Sequence, residues 1–345
     1  MMRQIVECVP NFSEGKNAET IDAIASSIQA VSGVKLLSVE PDKDYNRSVV
    51  TFVGEPHAVV EAAYQATKVA AERIDMQTHS GEHPRLGAVD VVPFVPISGV
   101  TMDDCVQLAH QYGKRVANDF QIPIYLYECA ATKPERTNLA NIRKGEYEGL
   151  PDKLKDPVWK PDYGRTDFNP KSGATVTGAR KFLIAYNVNL NTPNFDVAQE
   201  IALRIRESGR PLKNAAGEVV KNEKGDTVRV PGTLKAVKAM GVFLERVNIA
   251  QVSINLVDYE TTTPHVAFEE VKKQALLLGV EATGSEIVGL TPLAALLMAG
   301  RFYAEEEGRS GMVPEEELVS LAIRRLGLSQ LEPFEPKKKI IEYML

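Results

Sequence analysis

The sequence predicts an α+β protein made of two similar halves, each with a largely antiparallel sheet that carries its helices on one face. Two observations support this class. Short apolar stretches bounded by Pro, Gly or Asn alternate with longer stretches whose apolar residues recur every three or four positions. The order strand, helix, strand, strand, helix, strand occurs twice along the chain. This is the order of a split βαβ unit, also called ferredoxin-like, so we expect the halves to share their architecture without detectable sequence identity.

The elements of the first half follow from this patterning in chain order. An apolar stretch at residues 4–9 ends at Pro10 and predicts the first strand. Ile21, Ile24 and Ile28 then recur at helical spacing, which places them on one helix face. The same two rules predict the further strands 34–39, 47–53, 89–95 and 123–127, and the helices 17–31, 59–74 and 103–120.

The composition changes sharply after the strand at 123–127. Residues 132–180 are rich in Pro, Gly and Lys and show no sustained periodicity apart from a predicted helix at 138–145. A loop this long in a compact enzyme is usually functional. We therefore expect this segment to line or cover a site.

The second half repeats the pattern of the first and ends with two additional helices. Residues 217–230 interrupt this pattern of strands and helices, because their polar composition and the turn at Gly225 and Asp226 predict a hairpin. In residues 249–257 we expect Gln251, Ser253 and Asn255 to face outward. The predicted strands are 182–190, 234–243, 249–257 and 280–288, and the predicted helices are 195–208, 265–278, 292–306 and 314–326. The domain boundary falls between 1–181 and 182–345.

Composition and charge exclude several classes of protein. The 345 residues are 44% hydrophobic and carry a net charge of −6, which favours a globular protein and gives no general attraction to nucleic acid. We find no apolar run of transmembrane length and no signal peptide, so we expect a cytoplasmic protein without a membrane partner. The three cysteines, Cys8, Cys105 and Cys129, lack the spacing of a disulfide framework or a thiolate zinc site.

His79 and His83 fit the H-x-x-E-H pattern of inverted zinc peptidases. Both could bind one metal ion only from a continuous helical turn, which Gly81 and Pro84 interrupt. We therefore expect no metal site. A histidine in a loop before a strand is instead suited to proton transfer, since its unperturbed pKa is about 6.5.

Two further segments have a composition suited to ligand binding. Residues 40–47 combine the carboxylates of Glu40 and Asp42 with Arg47, so a cationic substrate could pair with the acids and a substrate carboxylate with the guanidinium. Residues 173–178 are glycine-rich, but they are not a phosphate loop because Ala179 occupies the position of the required lysine. Their glycines instead permit close approach to a ligand or a neighbouring strand.

Five motifs together resemble the glutamate formimidoyltransferases. They are VECVPNFSEG at 6–15, GEHPR at 81–85, GATVTGARKF at 173–182, AQVS at 250–253 and IIEY at 340–343. The resemblance spans essentially the whole chain. It ends where the cyclodeaminase domain of the bifunctional members would begin, so it implies only the transferase activity.

The resemblance implies transfer of the formimino group from N-formimino-L-glutamate to N5 of tetrahydrofolate in histidine degradation. The products are 5-formiminotetrahydrofolate and L-glutamate. By family position His83 is the catalytic acid and base. The cationic formimino group could pair with Glu40 or Asp42, while Arg47 or Arg85 holds a substrate carboxylate. Glu40 departs from the family pattern, which often has Asp at this position.

The co-substrate tetrahydrofolate is assigned two binding segments by the same resemblance. One lies in each half, which implies a ligand cleft between the halves, and Lys235 and Lys238 could face the negatively charged glutamyl tail. Family members commonly form homodimers, so we expect a dimer. The assigned residues are Gly164, Arg165, Thr166, Asp167, Phe168, Asn169, Pro170, Lys171, Ser172 and Gly173, and Gly232, Thr233, Leu234, Lys235, Ala236, Val237, Lys238, Ala239, Met240 and Gly241.

Three alternatives remain open at the level of sequence. A formyl group could be transferred from N-formyl-L-glutamate, because an amide oxygen and an amidine nitrogen differ little in shape. A non-catalytic folate-binding protein would not need His83. A zinc peptidase would need both His79 and His83 as ligands.

Overall fold

The computed structural model describes residues 4–309 and 313–344, which form two compact units. The first unit ends at Lys181 and the second begins at Phe182. Within the described residues, no helix is both long and apolar enough to span a bilayer.

The first unit contains seven strands and five helices among its described residues. In chain order they are β1 (Ile5–Cys8), β2 (Asn11–Phe12), α1 (Ala18–Gln29), β3 (Val34–Asp42), β4 (Arg47–Gly54), α2 (Pro56–Arg73), β5 (Val89–Ser98), α3 (Met102–Phe120), β6 (Ile124–Glu128), α4 (Leu139–Arg143), α5 (Leu150–Lys153) and β7 (Thr175–Ala179). The predicted helices and strands before residue 129 are confirmed, with boundaries shifted by a few residues.

The seven strands form one sheet whose centre is antiparallel. Strand β4 pairs with β3 on one side and with β1 and β2 on the other. Strands β1 and β2 also pair with β5. On the far side of β5, strands β7 and β6 continue the sheet in parallel pairing.

Alternate residues of β5 belong to hydrophobic clusters on opposite faces of this sheet, as the period of a strand requires. Val92 and Phe94 join a core with the buried faces of α1, α2 and α3. Val91 joins a second cluster that includes Ile142 and Leu150 from the aperiodic segment. Part of residues 132–180 therefore packs against the sheet face opposite the three helices.

Strand β7 was not predicted, because its sequence lacks the alternation of a half-exposed strand. It is buried throughout. The hydroxyls of Thr175 and Thr177 donate to backbone carbonyl oxygens of Val89 and Val92, which satisfies polar groups inside the sheet. A Cβ atom on Gly178 would lie 2.3 Å from the carbonyl oxygen of Tyr127. The predicted close approach of these glycines to a neighbouring strand is confirmed.

The second unit has a four-stranded antiparallel sheet in the order β11, β12, β8, β13. Its elements are β8 (Ile184–Leu190), α6 (Phe195–Ile205), β9 (Arg210–Pro211), β10 (Arg229–Val230), β11 (Val237–Leu244), β12 (Ile249–Leu256), α7 (Pro264–Leu277), β13 (Ala282–Val288), α8 (Leu293–Glu306), α9 (Glu315–Leu326) and α10 (Pro336–Lys339). Ile184, Tyr186, Val188 and Leu190 are buried, which confirms the predicted alternation in β8.

The predicted hairpin at 217–230 is the second half of a longer arm that begins at Arg210. Strands β9 and β10 close its base. Above them the same turn occurs twice, with Asn214 and Asn222 each accepting two backbone N–H groups through Oδ1. The predicted hairpin starts too far along the chain. Its turn at Gly225 is marked by the sequence pattern, but the equivalent turn at Gly217 was not predicted.

Candidate active site

The turn between β3 and β4 brings acidic and basic side chains to one point. The Asp42 carboxylate closes this turn, since its Oδ1 accepts the backbone N–H groups of Asp44 (3.0 Å) and Tyr45 (2.9 Å). In the register of the hairpin Asp42 pairs with Arg47 and Glu40 pairs with Val49. Because residues two apart on a strand share a face, Glu40, Asp42 and Arg47 lie on one face of the hairpin.

Asn46 connects this turn to two other segments. Its backbone has a left-handed φ of 47°, which Asn adopts more readily than most residues. Its side chain accepts the N–H of Gly15 (3.0 Å) and donates to the carbonyl oxygen of Ser80 (2.8 Å). The turn therefore joins the segment after β2 and the loop that carries His83.

Glycine is required where these segments meet the turn. A Cβ atom on Gly15 would lie 2.0 Å from the carbonyl oxygen of Asp42, and one on Gly81 would lie 2.4 Å from that of Tyr45. Both distances are too short for any side chain. Two motifs that are far apart in the sequence, NFSEG and GEHPR, thus contact the same turn.

His83 is half-buried beside Arg47. The Arg47 Nη1 atom lies 3.3 Å from Nε2 of His83 and donates to Oδ1 of Asn11 at 3.2 Å. Since a guanidinium can only donate, Nε2 accepts this hydrogen bond and the imidazole is assigned as the neutral Nδ1–H tautomer. The Tyr45 ring lies edge-on, with 6.4 Å between ring centroids.

The pKa of His83 is lowered to about 4, first by burial and then by the positive charges of Arg143, Arg47 and Arg85. The pKa of His83 thus lies well below the unperturbed value of about 6.5. The imidazole is neutral at pH 7 and is surrounded by positive charge. It can accept a proton efficiently only when that charge is compensated.

Arg85 is buried and fully engaged by protein groups. Its Nη1 donates to Glu146 (3.0 Å) and Glu148 (2.9 Å), and its Nη2 donates to Glu148 (2.7 Å) and to the carbonyl oxygen of His79 (3.4 Å). Its Nε donates to Nδ1 of His79 at 3.3 Å. All five N–H groups thus have acceptors, so a substrate carboxylate would have to break one of these bonds to reach Arg85.

His79 lies in the same loop and has both ring nitrogens occupied. Its Nδ1 accepts from Arg85 and its Nε2 donates to the carbonyl oxygen of Asn46 at 2.9 Å. Residues 79–84 are not helical, as Gly81 and Pro84 predicted. A zinc site using His79 would break both bonds, and among the described residues no group of three His, Cys, Asp or Glu side chains is placed to hold a metal ion.

The sequence reasoning missed Asp90 and Arg143. Asp90 is fully buried in β5, where its Oδ1 accepts the N–H of Leu86 at 2.9 Å and its Oδ2 accepts from Nη2 of Arg143. Burial raises the Asp90 pKa, and Arg143 opposes that effect. The sequence signal for this pair was an acidic residue inside the apolar stretch of β5. A buried charge almost always has a partner, so Asp90 indicated a basic residue nearby.

The first segment assigned to folate packs beside this loop. Gly173 lies against Gly87, where a Cβ atom on Gly173 would be 2.2 Å from the carbonyl oxygen of Leu86. Phe168 packs against Tyr147, with 5.4 Å between ring centroids. Backbone contacts therefore place the end of this segment next to the residues that follow His83.

The second segment lies in the second unit and enters β11. Ala236 has a left-handed φ of 53°, and its N–H donates to the Glu207 carboxylate at 2.7 Å. Lys235 forms a loose ion pair with Glu207 at 3.7 Å. Lys238 and Met240 are exposed and alternate with the buried Val237, Ala239 and Gly241. Lys238 is thus the residue of this segment whose charge is most available to a ligand.

Two surface cavities are lined by residues other than His83 and its contacts. One of about 480 Å³ is lined by Glu55, His57 and Asp104 at the beginnings of α2 and α3. The other, of about 530 Å³, lies between α9 and the C-terminal segment, beside Phe334 and Tyr343. Neither brings together the polar groups that converge on His83.

Comparison with known proteins identifies the family. Residues 5–180 match the model of the formiminotransferase domain, N-terminal subdomain, and residues 185–345 match that of the formiminotransferase domain. The formimidoyltransferase-cyclodeaminase of Rattus norvegicus is 48% identical over 344 residues, which is 100% of this chain and 60% of the rat protein. This chain thus spans about 60% of the length of such relatives.

Two relatives have lengths closer to that of this chain. The glutamate formimidoyltransferase of Streptococcus pyogenes serotype M1 is 45% identical over 306 residues, covering 89% of this chain and 95% of that protein. The enzyme of the same name from Thermoplasma acidophilum is 44% identical, covering 88% and 93% respectively. Both family models and all three relatives agree, and this chain belongs to the formiminotransferase family.

Proposed function

We propose that this protein is a glutamate formimidoyltransferase that transfers the formimino group of N-formimino-L-glutamate to N5 of tetrahydrofolate in histidine degradation. The observation that carries the proposal is the position of His83, the histidine of the GEHPR motif. Its imidazole is neutral, and its Nε2 atom lies 3.3 Å from Nη1 of Arg47. The names of the bacterial and archaeal relatives support the same reaction.

The reaction exchanges one carbon–nitrogen bond for another. The formimino carbon gains a bond to N5 of tetrahydrofolate and loses its bond to the glutamate nitrogen. A proton must leave N5, and one must reach the departing glutamate nitrogen. His83 Nε2 can accept the first proton and return it for the second, so a single imidazole serves as both base and acid.

The side chains around His83 suit the donor substrate. Arg47 has hydrogen-bond partners that are uncharged, Asn11 and His83, so its charge is available to a carboxylate of the donor. Glu40 and Asp42 lie on the same hairpin face and can pair with the cationic formimino group. Asp42 Oδ1 is occupied by the turn, which leaves Oδ2 for this role. Arg85 keeps its two glutamates and supports the loop.

For tetrahydrofolate we infer binding by the two segments 164–173 and 232–241. The contact of the first with Gly87 supports its place near the catalytic loop. The exposure of Lys238 supports a role toward the glutamyl tail. We also infer that each unit contains a split βαβ unit. It consists of β1, α1, β3, β4, α2 and β5 in the first unit and of β8, α6, β11, β12, α7 and β13 in the second. In the first unit β1 pairs with β4 and β5, and in the second β8 pairs with β12 and β13. A homodimer in the cytoplasm is the expected form.

An assay of the purified protein with tetrahydrofolate and either N-formimino-L-glutamate or N-formyl-L-glutamate tests the proposal. We expect consumption of the formimino donor and formation of 5-formiminotetrahydrofolate. Faster consumption of the formyl donor would instead identify the reaction as formyl transfer from N-formyl-L-glutamate. Folate binding without consumption of either donor would indicate a binding protein.

A further inference from the structure

Two arginines near His83 have hydrogen-bond donors without acceptors. The Nε atoms of Arg47 and Arg143 are buried and have no hydrogen-bond partner among the described residues. A buried guanidinium donor without an acceptor costs free energy unless a ligand or water supplies one. The two side chains come from different elements, β4 and the end of α4, and both influence His83.

Arg143 is held in place by the buried strand β5. Its Nη2 donates to Asp90, whose other carboxylate oxygen accepts the N–H of Leu86 at 2.9 Å. Leu86 follows His83 by three residues, so this chain of bonds ties Arg143 to the catalytic loop. Ile142 and Leu86 also belong to the same hydrophobic cluster. The position of the guanidinium is therefore determined before any substrate binds.

Arg85 and Arg136, which are buried as whole residues, are compensated differently. Arg85 has two glutamates. Arg136 also has a buried Nε without a partner, but it pairs with Asp162 and donates to two backbone carbonyl oxygens. Among the described residues, Arg47 and Arg143 together form an ion pair with one carboxylate, that of Asp90. The pair thus keeps an excess positive charge beside a neutral imidazole, and an anion would balance it.

We infer that Arg143, positioned by Asp90, forms with Arg47 a binding site for a carboxylate of the glutamyl donor, and that the bound carboxylate makes Nε2 of His83 available to accept a proton. The inference rests on the proposed function for the identity of the carboxylate. It adds Arg143 as a substrate-binding residue and Asp90 as its positioning residue. It also links donor binding to the catalytic base.

The second part follows from what surrounds the imidazole. In the absence of ligand, Arg47 donates to Nε2 and so occupies the lone pair that a proton would need. The charged and titratable groups that act on His83 are Arg143 from α4, Arg47 from β4, and Arg85 and His79 from its own loop, and each lowers its pKa. The Tyr45 ring is the other titratable neighbour. A carboxylate on the two arginines would withdraw the Arg47 donor and raise the His83 pKa from about 4 toward its ordinary value.

The test uses L-glutamate, the product of the proposed reaction, as the probe. Its dissociation constant is measured by calorimetry for the wild type, Arg143→Gln, Arg143→Lys and the control Lys144→Gln. Lys144 is the exposed neighbour of Arg143 and carries the same charge. The protonation of His83 is followed by nitrogen-15 NMR of the imidazole, with and without L-glutamate, and folding is checked by circular dichroism.

We expect Arg143→Gln to weaken L-glutamate binding about 10- to 100-fold, the effect of losing charge-assisted hydrogen bonds. Arg143→Lys should recover part of this affinity, and Lys144→Gln should bind as the wild type does. L-glutamate should move the His83 titration to higher pH in the wild type and much less in Arg143→Gln. Affinity within about threefold of wild type in Arg143→Gln, or a His83 titration that L-glutamate does not move, would overturn the inference.

The same experiments separate this inference from the proposed function. Asp90→Asn, which keeps the shape of the side chain, should weaken L-glutamate binding in the same direction as Arg143→Gln. If L-glutamate binding depends on Arg143 but no formimino transfer occurs, the inference holds and the proposed function fails. If transfer occurs with full activity in Arg143→Gln, the proposed function holds and the inference fails.

Discussion

At the level of single residues, the proposed chemistry depends on one imidazole whose surroundings keep it neutral. Burial and three arginines lower the pKa of His83, and Arg47 donates to its Nε2 atom. Such an arrangement makes an isolated imidazole a weak base. It suits an enzyme whose substrate is anionic, because the substrate would compensate the positive charge. The predictions for single residues concern proton transfer by His83, binding of a donor carboxylate by Arg47, and the effect of pH on stability.

Replacement of His83 by Ala should lower kcat by about 100-fold or more, because a positioned acid and base typically contributes 10²–10⁴. Folate affinity should change little. The measurement is steady-state turnover with the formimino donor, with His57→Ala, an exposed histidine on α2, as the matched control. A folded His83→Ala protein that keeps more than about a third of wild-type turnover would exclude His83 as the proton carrier.

Replacement of Arg47 by Lys should raise KM for the glutamyl donor more than KM for tetrahydrofolate. Lysine keeps the charge but cannot form two parallel hydrogen bonds to a carboxylate. Both KM values are measured by varying one substrate at saturation of the other, with the exposed Arg73→Lys as control. An increase confined to tetrahydrofolate would assign Arg47 to the other substrate.

The lowered pKa of His83 predicts how stability depends on pH. Its pKa is about 4 in the folded protein and about 6.5 when unfolded, so unfolding takes up a proton between these values. The stabilisation is complete above about pH 6.5 and is lost as the pH falls toward 4. Burial also lowers the pKa values of His79 and His265, which act in the same direction.

Replacement of His83 by Gln should therefore reduce the loss of stability between pH 6.5 and pH 4. Urea denaturation across this range gives the number of protons taken up on unfolding, which should fall by up to about one per molecule. An identical pH dependence in wild type and His83→Gln would mean that His83 titrates normally in the folded protein.

At the level of elements, the loop that carries His83 is held against the β3–β4 turn through close backbone contact. A Cβ atom on Gly81 would lie 2.4 Å from the carbonyl oxygen of Tyr45. Gly81→Ala should therefore displace the loop, lower turnover and destabilise the protein by about 1–3 kcal/mol, the usual cost of overpacking. Gly289→Ala, where no atom lies within 4 Å of the added Cβ, is the control for turnover. Equal turnover in the two variants would show that loop position does not matter.

At the level of the whole molecule, the long segment 132–180 contacts the loop of His83 through Glu146 and Glu148, while its residues 155–158, shortly after α5, are exposed. Lys171 is fixed, since its Nζ donates to Glu72 and its carbonyl oxygen accepts the N–H of Met76. Lys153 is partly buried against Trp159. Lys155 has 76% of its side chain exposed and follows the last turn of α5, so trypsin should cut first at this residue.

Tetrahydrofolate should slow this cleavage if segment 164–173 binds it. At about 100 times its dissociation constant the ligand stabilises the bound form by roughly 2.7 kcal/mol, which would suppress cutting about 100-fold if cleavage requires the free form. The rate is followed by gel electrophoresis, and Lys155→Gln identifies the product. A cleavage rate unaffected by saturating tetrahydrofolate would argue against this segment as part of its site.

Local patterns in the sequence were enough to predict the helices and strands that have a regular hydrophobic period, and five motifs carried the family resemblance. Residues such as Ile21, Ile24 and Ile28 are buried as predicted, because one face of an amphipathic helix must leave water. His83 and Arg47 were also found from the sequence, because motif and composition mark them locally. Strand β7 was missed, since burial on both faces removes the alternation that marks a strand.

Which charged side chains compensate one another became known only from the folded chain. Arg85 and Arg143 are both arginines near motif residues, but Arg85 meets Glu146 and Glu148 whereas Arg143 meets Asp90 and keeps an unpaired Nε. These partners lie about 50 to 60 residues apart in the chain. No local pattern encodes such pairings, because they depend on how β5 and the segment after β6 pack together. The proton affinity of His83 follows from the same packing, so the sequence identified the residue and the fold determined its chemistry.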